Sequence, residues 1–153
     1  MAINGKFRVS MEDVFPEGAF VVSEVEQVRD FDKSTPQKFV QQLDKESGLP
    51  MWAVSVLDAD PGARKGDKTI TVKVLDEVQP VPPEAVVVAG HEFRPVEFDG
   101  LTVTPYVDDR RNRVAYSLRA RAMRAPPAKG GKPASASTET KPAGGSAEGK
   151  AVA

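Results

Sequence analysis

The stretch that decides the fold is Lys68-Thr-Ile-Thr-Val-Lys-Val-Leu75, in which apolar and polar residues alternate. One face of an extended chain is aliphatic here and the other is polar: Ile70, Val72 and Val74 against Thr69, Thr71 and Lys73. Successive side chains of a β-strand point to opposite sides, so this period-two pattern indicates a strand with one buried face. It predicts a β-rich domain.

Other short β-type runs lie on both sides of this strand, separated by turn-forming residues. The predicted strands are 19–28, 39–43, 51–57, 93–98, 101–107 and 114–123. The loop 44–50 contains acidic and glycine turn formers, which predicts a β-hairpin between 39–43 and 51–57. Asp99-Gly100 is a strong short-turn dipeptide, and 108–112 is the last predicted turn.

Helix signals are few, which favours an all-β class. Ser10 with Asp13 three residues later resembles a capping box, and a second short helix is expected near 83–86. Five main strands with short extras suit a small barrel, and the five-stranded OB-like barrel is the favoured architecture. A two-sheet sandwich stays open. Trp52 has the parity of Val54 and Val56, so it is expected in the core.

The C-terminal segment differs sharply in composition from the rest. Residues 125–153 are mostly Pro, Gly, Ala, Ser, Thr and Lys, with Val152 as the one large aliphatic residue. Such a segment buries too little apolar surface to offset the entropy of ordering, so it is predicted to be a disordered tail. The folded β-barrel domain is therefore assigned to 1–124. The tail is either a partner-binding arm or a solubilising extension.

Composition excludes several function classes. Cysteine is absent, which rules out disulfides, thiolate nucleophiles and Cys-ligated zinc. His91 is the only histidine, so a His-based metal site or a Ser-His triad has no second member. No apolar run approaches the roughly 18 residues needed to cross a membrane. The N-terminus does not resemble a signal peptide, so a cytoplasmic protein is expected.

The candidate catalytic residues are aspartates in predicted turns. Asp58 with Asp60, and Asp108 with Asp109, have the spacing of an acid/base pair or of a cation ligand set. Aspartate in a turn more often accepts hydrogen bonds from its own backbone. No glycine-rich phosphate loop follows a strand and precedes a helix. We therefore expect no enzymatic activity, no metal and no cofactor.

Arginine is concentrated near the end of the predicted barrel. The formal net charge is −1, and four lysines and two glutamates beyond Ala125 leave −3 for residues 1–124. Between Arg110 and Arg124, however, there are six arginines and no acidic residue. Phosphate backbones are bound mainly by lysine and arginine, which displace counterions. The distribution of charge therefore matters more than its sum.

The two faces of the predicted sheet differ in character. The expected inward residues are Val54, Val56, Ile70, Val72, Val74, Leu101, Val103, Val114, Tyr116 and Leu118. The opposite face contains Thr71, Lys73, Thr104, Tyr106, Arg119 and Arg121. Cations around an aromatic ring suit single-stranded nucleic acid, in which phosphates follow the charges and a base stacks on the ring. The alternative is a solvated face, which has the same residue types.

The residues predicted to bind nucleic acid combine this face with the last turn. They are Lys73, Tyr106, Arg110, Arg111, Arg113, Arg119 and Arg121.

Six ordered, ungapped stretches resemble a family of small proteins from integrating conjugative plasmids of high-GC Gram-positive bacteria. They are Val14-Phe-Pro-Glu-Gly-Ala-Phe-Val-Val-Ser23, Asp44-Lys-Glu-Ser-Gly-Leu-Pro-Met-Trp52, Val56-Leu-Asp-Ala-Asp-Pro61, Phe93-Arg-Pro-Val-Glu-Phe98, Gly100-Leu-Thr-Val-Thr-Pro-Tyr106 and Ala115-Tyr-Ser-Leu-Arg-Ala120. The family is described as a plasmid replication, integration and excision activator. The resemblance implies an accessory regulator of a mobile genetic element.

Three hypotheses of function remain open. In the first, the barrel binds single-stranded DNA through the face around Arg119 and Arg121. In the second, it is a protein-interaction module that recruits replication or recombination proteins without contacting DNA. In the third, it is a scaffold domain of a phage-like element.

Overall fold

A computed structural model describes residues 5–127 of the chain, and within them the fold is all-β. The strands are β1 (Phe7–Arg8), β2 (Ala19–Val21), β3 (Glu26–Gln27), β4 (Met51–Asp58), β5 (Thr69–Leu75), β6 (Val86–Val88), β7 (His91–Asp99), β8 (Thr102–Asp108), β9 (Arg113–Ala120) and β10 (Ala122–Arg124). One short helix, α1 (Met11–Val14), and a 3₁₀ turn, Lys65–Asp67, complete the elements. The all-β class is confirmed, with ten strands in place of the predicted five. Most of the predicted tail, 128–153, lies outside the described residues.

All the named strands belong to one curled sheet. Neighbouring strands follow the order β1-β8-β9-β5-β4-β2-β7-β10, with β3 beside β4 and β6 beside β7. β5 and β9 run parallel, and the other pairs are antiparallel. Only Arg121 separates β9 from β10. β9 pairs with β5 and β10 pairs with β7, so this last stretch of chain connects two strands that are separated in the strand order.

The predicted turn at Asp99-Gly100 is a kink within a strand. Thr102 pairs with Arg119 and Asp99 pairs with Ala122, so the two halves keep one common register with the same partner chain. Gly100 has φ +64°, a conformation that glycine adopts at little cost. The Arg121 N–H donates to the Asp99 carbonyl across the kink at 2.8 Å. β7–β8 and β9–β10 therefore form one long, bent hairpin.

The core lies on the inner face of the curled sheet. Its buried members are Phe15, Ala19, Val21, Val25, Trp52, Val54, Val56, Val72, Val74, Val96, Phe98, Leu101, Leu118 and Ala120. The predicted burial of Trp52 is confirmed, and its Nε1–H donates to the Asp76 carbonyl at 2.9 Å. The predicted burial of Val114 and Tyr116 is wrong, since both are exposed. β9 pairs with β5 only from Leu118 onward, so the residues of β9 before Leu118 have no β5 residue beside them.

Two predicted strands differ from the structure. The expected strand 19–28 divides into β2 and β3, because residues 22–25 stand opposite only two residues of β4. Ser23 stabilises the break, since its Oγ accepts a hydrogen bond from Ser55 N–H at 2.8 Å. The predicted strand 39–43 is also wrong: it makes only isolated bridges, Arg29 to Gln41 and Leu43 to Pro50. β4 pairs with β5 instead.

Helix predictions had mixed outcomes. The capping box at α1 is confirmed, with Ser10 Oγ accepting from Asp13 N–H and Asp13 Oδ2 accepting from Ser10 N–H. The helix expected near 83–86 is wrong, because the β-branched run Val86–Val88 forms β6. The aspartates of the turns accept backbone hydrogen bonds as predicted; Asp58 accepts from Asp60 N–H and Asp108 from Arg110 N–H. No helix within residues 5–127 is long and apolar enough to cross a membrane.

Candidate nucleic-acid interface

Lys73 and Arg119 are direct neighbours across the parallel pair β5 and β9. They line an open depression of about 530 Å³, here called the sheet groove. Its walls are Ile70, Thr71, Lys73, Thr104, Tyr106, Tyr116, Ser117 and Arg119. The sheet groove therefore brings together three of the predicted binding residues, Lys73, Tyr106 and Arg119.

Two exposed tyrosines line the sheet groove from opposite faces of the β8–β9 hairpin, since Tyr106 pairs with Ala115 and Tyr116 with Pro105. Tyr106 in β8 is 51% exposed and Tyr116 in β9 is 64% exposed. Both also line a second depression of about 650 Å³ on the side of Asp13 and Arg113. Strand parity assigned Tyr116 to the core and so missed it as a surface residue. Tyr116 precedes Leu118, the first residue of β9 that pairs with β5, and the sequence alone does not reveal where this pairing begins.

Arg119 is held by an acidic residue that the sequence did not single out. Its Nη1 donates to Oδ1 of Asp44 at 2.8 Å, and Asp44 is only 4% exposed. The second oxygen of Asp44 accepts from the N–H and the hydroxyl of Ser47, at 2.9 and 2.8 Å. Arg119 Nε is buried and has no hydrogen-bond partner within residues 5–127. The loop 44–50 therefore accepts a hydrogen bond from Nη1 of Arg119, whereas the Nε–H of Arg119 has no acceptor within the described residues.

The charges around the groove perturb each other. Burial favours a raised pKa for Asp44, but hydrogen bonds from Ser47 and the charges of Arg119 and Lys6 outweigh it, so the pKa lies below its ordinary value. Burial lowers the pKa of Lys73, and the positive charge of Arg119 lowers it further. Among residues 5–127, Arg119 forms a salt bridge only with Asp44, and Lys73 forms none. Asp44 therefore compensates the charge of Arg119 but not that of Lys73, which leaves excess positive charge in the groove.

The predicted arginines of the last turn lie at the tip of the β8–β9 hairpin, and two of them are partly neutralised. Arg113 Nη2 lies 3.3 Å from Asp67 Oδ1, and Arg111 Nε lies 3.9 Å from Asp108 Oδ2. The Arg110 side chain has no salt bridge in the described part of the chain. Exposed pairs of this kind are weak and screened by salt. Arg111 and Arg113 line the second depression and not the sheet groove, and among the three only Arg110 has no carboxylate partner within the described residues.

Arg121 is the predicted residue that the structure separates from the others. It lies at the kink between β9 and β10, where its Cγ is 3.1 Å from the position that a Cβ on Gly100 would occupy. It is exposed and is not part of the groove wall. The structure therefore places Arg121 outside the groove wall, and its predicted role in binding stays a prediction.

The described residues contain no cluster of three or more His, Asp or Glu side chains suited to hold a metal ion. Comparisons of the chain with protein-family models, with curated proteins and with solved structures each returned no match.

Proposed function

We propose that the protein is a non-enzymatic, cytoplasmic accessory regulator of a mobile genetic element, which activates plasmid replication, integration and excision by binding single-stranded DNA in the sheet groove. The role in a mobile element rests on the resemblance of the six stretches to plasmid replication, integration and excision activators. The single-strand activity rests on the groove itself. The observation that carries it is the combination of two exposed tyrosines with the charge of Lys73, which has no salt bridge within residues 5–127 and lies beside Arg119.

The proposal includes an OB-like barrel, and the strand pairings support it. Pairings lead from β2 to β4, β5 and β9, and then from β10 through β7 back to β2. If β7–β8 and β9–β10 each count as one bent strand, five strands form this circuit. OB-type barrels bind oligonucleotides on the face of their second and third strands and on the loop between the fourth and fifth. By that correspondence the face is β4–β5, beside the groove, and the loop is 109–112.

Stacking explains why both tyrosines matter. An aromatic side chain that stacks on a base contributes about 1–3 kcal/mol per base, largely without sequence preference. The neighbouring cations then follow the phosphates, and Thr71, Thr104 and Ser117 supply hydroxyl groups along the same wall. Duplex DNA buries its base faces in its own stack, so a stacking site selects single strands.

The test compares matched substitutions at Tyr106 and Tyr116. The double variant with leucine at both positions removes the rings, whereas the double variant with phenylalanine keeps them. We expect the leucine variant to weaken binding of a fluorescent oligonucleotide about tenfold or more. The phenylalanine variant is expected to stay within about threefold of the wild type. Equal affinity of all three proteins contradicts a stacking role.

A second candidate function, recruitment of a replication or recombination protein, is favoured by one observation on the far side of the sheet. Val86, Val87 and Val88 are all exposed, and β6 pairs only with β7 among the described strands. An unpaired strand edge recognises an extended segment of another protein by strand addition. The Val87→Lys variant is expected to lose such a partner in co-purification while it retains DNA binding. Retention of the partner by the variant contradicts this function.

A further inference from the structure

We infer that Asp44 occupies, on Arg119, the position that a phosphodiester of the bound strand takes, so that the loop 44–50 competes with the ligand. This inference rests on the proposed function and adds its regulation. It makes Asp44 a residue that sets the affinity of the groove although it never contacts DNA.

The geometry of the resting contact is incomplete in a specific way. Arg119 uses Nη1 for Asp44, while its buried Nε–H has no partner within residues 5–127. Asp44 offers Arg119 only Oδ1, because Ser47 takes Oδ2 with two hydrogen bonds. A carboxylate restrained in this way does not form the two parallel bonds that guanidinium groups make with carboxylates and phosphates. A phosphate with several free oxygens satisfies both donors once the arginine turns toward the groove.

Asp44 retains partners after such an exchange. Its two bonds from Ser47 lie within its own loop, and the positive charge of Lys6 also lowers its pKa. Lys6 in turn is paired with Glu46 of the same loop. The departing arginine therefore does not leave an isolated buried carboxylate, which is the costly outcome when a buried pair is broken.

The positive charge of Lys73 favours the replacement of Asp44 by a phosphate at Arg119. Lys73 lies beside Arg119, has no salt bridge of its own within the described residues, and the two cations repel each other. An anion between them lowers the free energy of both. A phosphate is therefore bound more strongly by Lys73 and Arg119 together than by either side chain alone. Asp44 is the competitor that the phosphate displaces.

The experiment compares two variants that remove the same charge from the same loop. Asp44→Asn removes the carboxylate on Arg119, whereas Glu46→Gln removes an exposed one and keeps an oxygen that accepts from Lys6. Fluorescence anisotropy with a labelled single-stranded oligonucleotide gives the affinities. We expect Asp44→Asn to bind about fivefold to tenfold more tightly than the wild type, the size expected from freeing a charge-assisted hydrogen bond. Glu46→Gln is expected to change affinity by less than about twofold, as a surface charge does.

The outcomes distinguish failure of the competition by Asp44 from failure of the proposed DNA binding. If the wild type binds DNA and Asp44→Asn binds no more tightly, the competition is overturned and the DNA-binding function stands. If no variant binds at low salt, both are overturned. If Asp44→Asn does not fold, Ser47→Ala replaces it, since it removes one bond that positions Asp44 and is expected to tighten binding about twofold. Unchanged affinity of Ser47→Ala then overturns the competition.

Discussion

Arg119 and Asp44 lie 75 residues apart in the sequence, yet Nη1 of the arginine donates to Oδ1 of the aspartate at 2.8 Å. The contact fastens the loop 44–50 to β9. It also sets the charge of the sheet groove, because Asp44 is the partner of one of the two cations that meet there.

The Arg119–Asp44 contact is expected to stabilise the fold. In a double-mutant cycle with alanine at each position, we expect a coupling energy of about 1–2 kcal/mol, since residues in one hydrogen-bonded network are not additive. Urea unfolding followed by Trp52 fluorescence measures it, because Trp52 is the only tryptophan and is buried. Additive effects of the two substitutions contradict a stabilising contact.

Stability is expected to fall with acidification through Asp44. Its folded-state pKa lies below the ordinary value because of Ser47, Arg119 and Lys6. A depressed carboxyl pKa stabilises the fold above the unfolded-state value, about 3.9, and this contribution is lost as the pH falls through the folded-state pKa. The wild type and Asp44→Asn should therefore differ most in unfolding free energy near neutral pH. A difference that stays constant down to about pH 2 contradicts the assignment.

Local patterns predicted the core of the sheet but not its ends. The alternation of β5 correctly gave Val72 and Val74 as buried, because a strand covered on one side must show that period. The same rule failed for Tyr116, since burial there depends on whether β5 extends alongside β9, which is a tertiary property.

The candidate site was predicted in its composition but not in its pairing. Lys73, Tyr106 and Arg119 were recognised from residue type and strand parity, and they do meet in one groove. Asp44 was missed because its loop reads as an ordinary turn and its partner is remote in sequence. Arg121 was grouped with Arg119 by strand parity, but it lies outside the wall of the groove.

Gly100 is expected to be required for the bend in the long hairpin. It has φ +64°, and a Cβ there would lie 3.1 Å from Arg121 Cγ, so Gly100→Ala should destabilise the fold by about 1–2 kcal/mol. Gly66→Ala is the matched control, because an added Cβ meets nothing within 4 Å and its φ is not positive. Thermal unfolding compares the two. Equal melting temperatures contradict a structural requirement for glycine at the kink.

The capping box should contribute measurably although α1 has only four residues. Ser10→Ala removes the oxygen that accepts from Asp13 N–H, and a lost N-cap costs about 1 kcal/mol. Ser10→Thr keeps a hydroxyl group and should lie close to the wild type. Urea unfolding of both variants tests this, and an alanine variant as stable as the threonine variant contradicts it.

The most direct test of the central claim is the salt dependence of binding to single-stranded and duplex DNA by the full chain. If Lys73, Arg110 and Arg119 each neutralise one phosphate, the logarithm of the single-strand association constant should fall with the logarithm of salt concentration with a slope of about −2. Duplex of the same sequence should bind more weakly at every salt concentration. No binding to the single strand at low salt, or a preference for duplex, contradicts the proposed function.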